Sequence, residues 1–233
     1  MPKRPPPSPP ALVVLLTVAA LVACWVAIAV EQAARGAAAL AVGVPWPGLE
    51  LSSAYTVVSV QGPTAALGPA PFTLVSLAGP AALLLVALSF HFVVGWFRTS
   101  GWLRALALEG AILALLWVPS ALAVAVFQGS GGSVSELYGR LGEPQAGRWG
   151  ALALGLLTLW LVGGVASARA VAVGRGWMRT DGLGFRRRLV RVVAGYPAVL
   201  ALGAAMYVQG WVAPVWSAVW LVVVLGVMVI RTP

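Results

Sequence analysis

The sequence has few of the residues that carry most enzyme chemistry. Its 233 residues include one cysteine, Cys24, one histidine, His91, and six acidic residues. A single cysteine excludes an intramolecular disulfide and a cysteine-based metal cluster, and a single histidine excludes a histidine-rich metal site. Phosphate-cradling G-x-x-x-x-G-K-S/T, G-x-S-x-G and C-x-x-C patterns are also missing. We therefore predict no catalytic residues, no bound metal and no cofactor.

Charged residues are scarce as well, which indicates that the chain lies in lipid and not in water. Only 9% of the residues are charged and 61% are hydrophobic, whereas soluble domains carry about 25% charged residues. Six apolar segments each approach the roughly 20 residues that a helix needs to cross a bilayer. The sequence thus predicts an all-α integral membrane protein with about six transmembrane helices, over Leu12–Val30, Phe72–Trp96, Trp102–Phe127, Trp149–Val173, Leu189–Val208 and Trp211–Ile230.

The chain divides into a short lead and one membrane domain. Residues 1–10 include six prolines and are expected to be extended and disordered. Residues 11–233 are expected to form a single six-helix transmembrane domain. The stretch from Leu21 to Cys24 fits a lipoprotein cleavage box, which would leave Cys24 lipidated. The alternative is an uncleaved anchor helix, because the sequence stays apolar after Cys24.

The basic residues predict the orientation. With the N-terminus inside, 12 of the 15 basic residues fall on or near the cytoplasmic side, and only Arg35, Arg140 and Arg148 fall outside. This bias predicts a multi-pass protein of the bacterial inner (cytoplasmic) membrane, with both termini cytoplasmic. It also accounts for the net charge of +9, so we expect no nucleic acid partner. The run from Arg186 to Arg188, with Arg179 and Arg191, is interpreted as a topology signal that also contacts anionic lipid headgroups.

The one histidine and one of the six acidic residues fall inside predicted spans. His91 and Glu109 lie at nearly matching depths in a helical hairpin, so a contact between them is expected. Ionisable groups in a membrane are costly and usually have partners. One interpretation is a proton relay, a quinone or pigment contact, or an axial ligand. The other is a neutral Glu109 that is hydrogen-bonded to a neighbouring helix and holds the bundle together.

Small and aromatic residues complete the pattern of the spans. Small residues such as Gly163, Gly164 and Ser167 predict close helix–helix approach. Five tryptophans are expected deep in the spans, where they serve packing, lipid contact, or a surface for pigment, quinone or a partner helix: Trp25, Trp117, Trp160, Trp216 and Trp220. Glu31 and Arg35 have i, i+4 spacing on a helix that continues from the first span, which favours an ion pair.

The region after the first span resembles a known family. Residues 31–44, EQAARGAAALAVGV, resemble the signature helix of the site-2-protease-like (M50) intramembrane metallopeptidases, H-E-x-x-H-A followed by small residues and Gly-Val. Residues 46–51 and 54–60 are similar to the family's short β-hairpins, which implies a small hairpin in the 48–60 region. Ala78-Gly79-Pro80 is similar to the A-G-P that opens the family's next helix. The resemblance covers about residues 25–95.

The departures from this family concern the zinc site. Glu31 and Arg35 stand where the family has its two histidine ligands, and Gln32 stands where it has its catalytic glutamate. Arginine stays protonated and cannot bind zinc, and glutamine cannot act as the general base. Asp181 with Gly182 is similar to the D-G that supplies the third ligand. The predicted topology, however, puts Glu31 outside the membrane and Asp181 inside, so the two residues could not share a metal. The resemblance therefore implies a degenerate core, with Arg35 in place of the metal charge.

These features favour a non-catalytic membrane scaffold or accessory subunit of a larger membrane complex. Its expected partners are the lipid bilayer and other membrane proteins. The alternatives are a transporter or a redox or photosynthetic-complex subunit that uses His91 and Glu109, and an active intramembrane hydrolase. The polar residues that could serve a structural or functional site are Glu31, Arg35, His91, Glu109 and Asp181.

Overall fold

The structure is a computed structural model that describes residues 9–46, 48–51, 57–59, 67–93, 101–124, 126–127, 144–174, 183–208 and 213–233. In these ranges the chain forms α1 (Pro9–Ala41), β1 (Leu49–Leu51), β2 (Val57–Ser59), α2 (Pro69–Val93), α3 (Gly101–Val124), α4 (Pro144–Gly174), α5 (Leu183–Val190), a π-helical turn (Arg191–Gly195), α6 (Tyr196–Val208) and α7 (Pro214–Ile230). The π-helical turn joins α5 and α6 without a break.

Five helical segments in the described part of the chain are long and apolar enough to cross a membrane. They belong to α1, α2, α3, α4 and the continuous α5–α6 segment, so the chain has the architecture of a multi-pass membrane protein. The sixth predicted span corresponds to α7, which is apolar but has only 17 residues. This is shorter than the roughly 20 residues of a typical span.

Helix α1 extends eleven residues beyond the end predicted for the first span and includes both Glu31 and Arg35. The alanine-rich sequence from Ala33 onward favours helix, although it is less hydrophobic. The helix ends at Ala41, and Gly43, two residues later, has a left-handed φ of 80°. The Val44 N–H donates to Ala39 O at 2.9 Å, and the Gly43 N–H donates to Leu40 O at 3.0 Å. This is a Schellman cap, so the Gly-Val pair of the family resemblance serves as a helix stop here.

A pair of short strands follows α1. Leu49 pairs with Ser59 and Leu51 pairs with Val57, in antiparallel register. Gly48 precedes β1 with a φ of 112°, a conformation that favours glycine. Residues 52–56, where the turn of the predicted hairpin would fall, lie outside the described residues.

Helix α3 lies at the centre of the bundle. In its span 72% of the residues are buried inside the bundle, compared with 33% in the spans of α2 and α4. It packs against α1, α2 and α4. A helix that is apolar on all sides is expected in a core, and α3 is such a helix apart from Arg104, Glu109 and Ser120.

Small residues allow the close helix contacts that the sequence predicts. A Cβ on Gly155 of α4 would lie 2.9 Å from Pro119 O and Ala123 N of α3, so the two backbones nearly touch. A Cβ on Gly163 would lie 2.9 Å from Val227 of α7. The Ser167 hydroxyl donates to Met228 O at 2.6 Å. Helices α3, α4 and α7 are thus joined through glycine and serine positions.

Candidate functional site

Glu31 forms a buried hydrogen bond between two helices. Its side chain lies on α1, ten residues before the end of that helix, and only 6% of the residue is exposed. Trp117 of α3 is fully buried and donates its indole N–H to Glu31 Oε2 at 3.0 Å. Buried polar groups in a membrane must be satisfied inside the protein. This bond therefore fixes α1 against α3 at one depth of the bundle.

Gly79 lets the backbone of α2 approach Glu31 at its contact with Trp117. A Cβ on Gly79 would lie 2.6 Å from Glu31 Cγ and 3.2 Å from Arg35 Cδ. The backbone of α2 thus covers the stems of both side chains, and glycine is required for that approach. We call these residues, Glu31, Arg35, Gly79 and Trp117, the Glu31 cluster. It lies where α1, α2 and α3 meet.

Arg35 supplies the positive charge of the Glu31 cluster. Arg35 lies one helical turn after Glu31 on α1, close enough for its charge to act on the Glu31 carboxyl group; a direct ion pair between the two stays a prediction. The Arg35 Nε is buried and has no hydrogen-bond partner among the described residues. Trp117 donates the hydrogen bond to Glu31, and Arg35 contributes charge.

Trp46 closes the adjacent turn of α1. Its indole lies so close to Gly36 that no side chain would fit at that position. Gly36 follows Arg35 directly, and consecutive helix residues point about 100° apart, so Trp46 covers a different face of α1 from the one that carries Arg35. Trp46 and Gly79 thus surround this part of α1 with protein.

Glu109 lies apart from the Glu31 cluster. It is on α3, eight residues before Trp117, which is about 12 Å along the helix. The residue is completely buried, and neither carboxyl oxygen has a hydrogen-bond partner among the described residues. His91 belongs to α2, but its side chain is outside the described part, so the predicted contact between His91 and Glu109 stays a prediction.

A small apolar pocket lies between α1, α2 and α3. Ala23, Val86 and Gly110 are among the residues that line it. Glu109 does not line it, because the α3 residues that do, Leu106, Gly110 and Ala114, lie on a different face. A pocket lined only by apolar residues suits an apolar group or remains dry.

The structure describes no metal site. No group of three or more histidine, cysteine or acidic side chains that could hold a metal ion occurs in its described part. Asp181 and the side chain of Glu50 lie outside that part. Cys24 is buried, and its thiol donates to Ala201 O at 3.3 Å. It therefore joins α1 to α6 in the structure.

From the sequence, Trp117 was expected to pack in the core, contact lipid, or form a surface for a ligand or partner helix. Its hydrogen bond to Glu31 was not predicted. The two residues are 86 positions apart. A signal was present, because a buried carboxyl group in a span needs a donor and an indole N–H can only donate. The same reasoning applies to Trp220 of α7, whose N–H donates to Ser120 Oγ of α3 at 2.8 Å. Trp117 and Trp220 thus both join helices by hydrogen bonds.

Comparison with known proteins gives no match: no family model, no curated protein and no solved structure matches the chain. The fold and the Glu31 cluster therefore define its class, a helical multi-pass membrane protein with a polar cluster at a three-helix junction.

Proposed function

We propose that the chain is a non-catalytic membrane scaffold, an accessory subunit of a larger membrane protein complex. The observation that carries this proposal is the hydrogen bond from Trp117 to Glu31 under the cover of Gly79. A catalytic carboxylate must reach its substrate, whereas this carboxyl group is enclosed by three helices. Its contacts are those of a structural group that fixes helix positions.

The core of this scaffold is, in this proposal, a degenerate site-2-protease-like core. Support comes from the packing of Gly79 against Glu31 and Arg35, since these residues belong to the two segments that resemble the family. The small hairpin, with Leu49–Leu51 and Val57–Ser59 as its strands, belongs to the same proposal. One feature differs from the family pattern, because Ala78-Gly79-Pro80 lies ten residues inside α2 and does not open it.

We propose the bacterial inner membrane as the location, with the N-terminus cytoplasmic. The support is the bias of 12 basic residues against three described above. A cytoplasmic C-terminus requires that α7 also crosses, and tilt or local bilayer thinning lets a helix of 17 residues do so. Cysteine accessibility at residue 2 and residue 233 in a Cys24→Ala background tests this orientation.

The scaffold role is tested by the mass of the native assembly. The protein is extracted with mild detergent from its native membrane, and native mass spectrometry measures the particle mass. We expect a particle that contains a second membrane protein at fixed stoichiometry, and Trp117→Phe should weaken it. A surface variant such as Gly226→Ala serves as the matched control. A chain that always runs alone would contradict the proposal, and stoichiometric tightly held zinc would support the hydrolase.

A second candidate function is transport of a proton or cation through Glu109. The observation that favours it is the absence of a described hydrogen-bond partner for either Glu109 oxygen, because a carboxyl group buried at a cost is typical of functional sites. Glu109→Gln and His91→Ala in proteoliposomes test it through uptake of a pH-sensitive dye. The transport hypothesis predicts lost flux with an unchanged melting temperature, and the scaffold hypothesis predicts no flux in any variant.

A further inference from the structure

The exposed face of the α5–α6 segment begins with basic side chains and continues with mainly apolar and aromatic ones as far as Tyr207. Arg187, Arg188 and Arg191 are exposed at its beginning, and Tyr196 and Leu200 follow, 49% and 58% exposed. The residues between them on the other face, from Val193 to Gly195, are buried in the bundle. We call these five exposed residues the Arg–Tyr stripe. It combines three cations with an aromatic and an aliphatic side chain on one face.

The π-helical turn aligns the two halves of this stripe. The Tyr196 backbone N–H donates to Arg191 O, so Tyr196 lies one wide turn above Arg191. In a regular α-helix, residues five apart point in clearly different directions. Pro197 follows at once and lacks the N–H that a regular helix would use. Gly195 lies opposite, where a Cβ would be 2.5 Å from Leu225 Cδ1 of α7, so the turn is packed in place.

Among the described residues, no acidic side chain forms an ion pair with the three arginines of the stripe. Glu31 and Glu109, the acidic residues whose side chains are described, are buried in α1 and α3. Two neighbouring arginines do have internal contacts. Arg186 donates to Pro233 O at 3.2 Å, and the Arg231 guanidinium lies 4.9 Å from the centre of the Trp160 ring. Within the stripe, Arg191 Nε donates to Arg187 O at 3.4 Å, and all three arginines stay exposed.

The dimensions of the stripe fit one phospholipid. From Arg191 to Leu200 the helix rises about 13 Å, close to the roughly 15 Å hydrocarbon depth of one leaflet. Arginine binds phosphate with paired N–H donors, and a tyrosine prefers the boundary between headgroups and hydrocarbon. We propose that the Arg–Tyr stripe is a binding site for an anionic phospholipid. Its phosphate lies among Arg187, Arg188 and Arg191, and its acyl chain lies along Tyr196 and Leu200.

The proposal is independent of the scaffold role and is tested by lipid selectivity. The full chain is reconstituted in nanodiscs with equal amounts of phosphatidylglycerol and phosphatidylcholine, and native mass spectrometry counts the lipids retained. We expect retention of phosphatidylglycerol over phosphatidylcholine. The triple variant Arg187→Gln, Arg188→Gln and Arg191→Gln should lose on the order of a hundredfold in this preference, because each basic residue near anionic headgroups contributes roughly a fivefold factor.

Matched variants separate the site from general charge. Arg148→Gln removes one positive charge near the start of α4 and should leave the preference unchanged. Tyr196→Ala with Leu200→Ser should lower the retention of phosphatidylglycerol while the arginines remain. Equal retention of both lipids by the wild type would overturn the proposal. So would displacement of the bound lipid by inorganic phosphate alone, which would indicate a site for free phosphate.

Discussion

Trp117 and Glu31 join the central helix α3 to the first helix α1 through one buried hydrogen bond of 3.0 Å. The donor has no other hydrogen to give, and the acceptor lies where no bulk water can replace it. Loss of either side chain therefore leaves the other unsatisfied inside the bundle. This asymmetry makes the pair a sensitive probe of whether the Glu31 cluster holds the fold.

Trp117→Phe should destabilise the protein by about 1–3 kcal/mol, because it leaves a buried carboxyl oxygen without its donor. Thermal unfolding in detergent measures the effect. Trp220→Phe is the matched control, since it removes an indole bond to a hydroxyl group and should cost less. A Glu31→Ala variant, which removes the acceptor, combined with Trp117→Phe completes a double-mutant cycle. Strictly additive effects in that cycle would contradict a direct bond.

Gly79→Ala should destabilise the protein by about 1–3 kcal/mol through overpacking, because the new Cβ would meet Glu31 Cγ at 2.6 Å. Glu31 cannot move freely while Trp117 holds its carboxyl group. Gly226→Ala is the matched control, since nothing lies within 4 Å of a Cβ there. It should be neutral or stabilising, by up to about 1 kcal/mol.

A second variant identifies the cause of the Gly79→Ala effect. Glu31→Ala removes the Cγ atom that the new methyl group would contact, so Gly79→Ala should cost much less in that background. Melting temperatures of the two single variants and the double variant give the comparison. An equal penalty in both backgrounds would place the clash at Arg35 or elsewhere on α1.

The apolar spans could be predicted from the sequence because hydropathy alone encodes them, whereas the Glu31 cluster could not. The i, i+4 spacing of Glu31 and Arg35 is local, so the sequence alone predicts it when the helix is extended beyond Val30. Trp117 and Gly79 join them only through tertiary packing of three helices, which no local pattern specifies. The continuation of α1 beyond Val30 was predicted, and its last turns to Ala41 are helical because alanine favours helix, although they are less hydrophobic.

Chelators should leave the stability of the protein unchanged. The residues at the family's zinc positions, Glu31, Gln32 and Arg35, include one permanent cation and one neutral amide, neither of which favours zinc. The melting temperature of the purified protein is measured with and without excess EDTA, and again after zinc is added back. A chelator-dependent fall that zinc reverses would show that residues outside the described part supply ligands.

Glu109→Leu should stabilise the protein, by about 1–3 kcal/mol, because it replaces a buried carboxyl group that has no described partner with an apolar side chain of similar size. Glu109→Gln should have a smaller effect, since it keeps polar atoms in the same apolar surroundings. Denaturation in detergent compares both with the wild type. If both variants are less stable, then Glu109 has a partner in the undescribed part of the chain, and His91 is the first residue to test. If Glu109→Leu is more stable but abolishes proton flux, then the carboxyl group is kept for transport at the expense of stability.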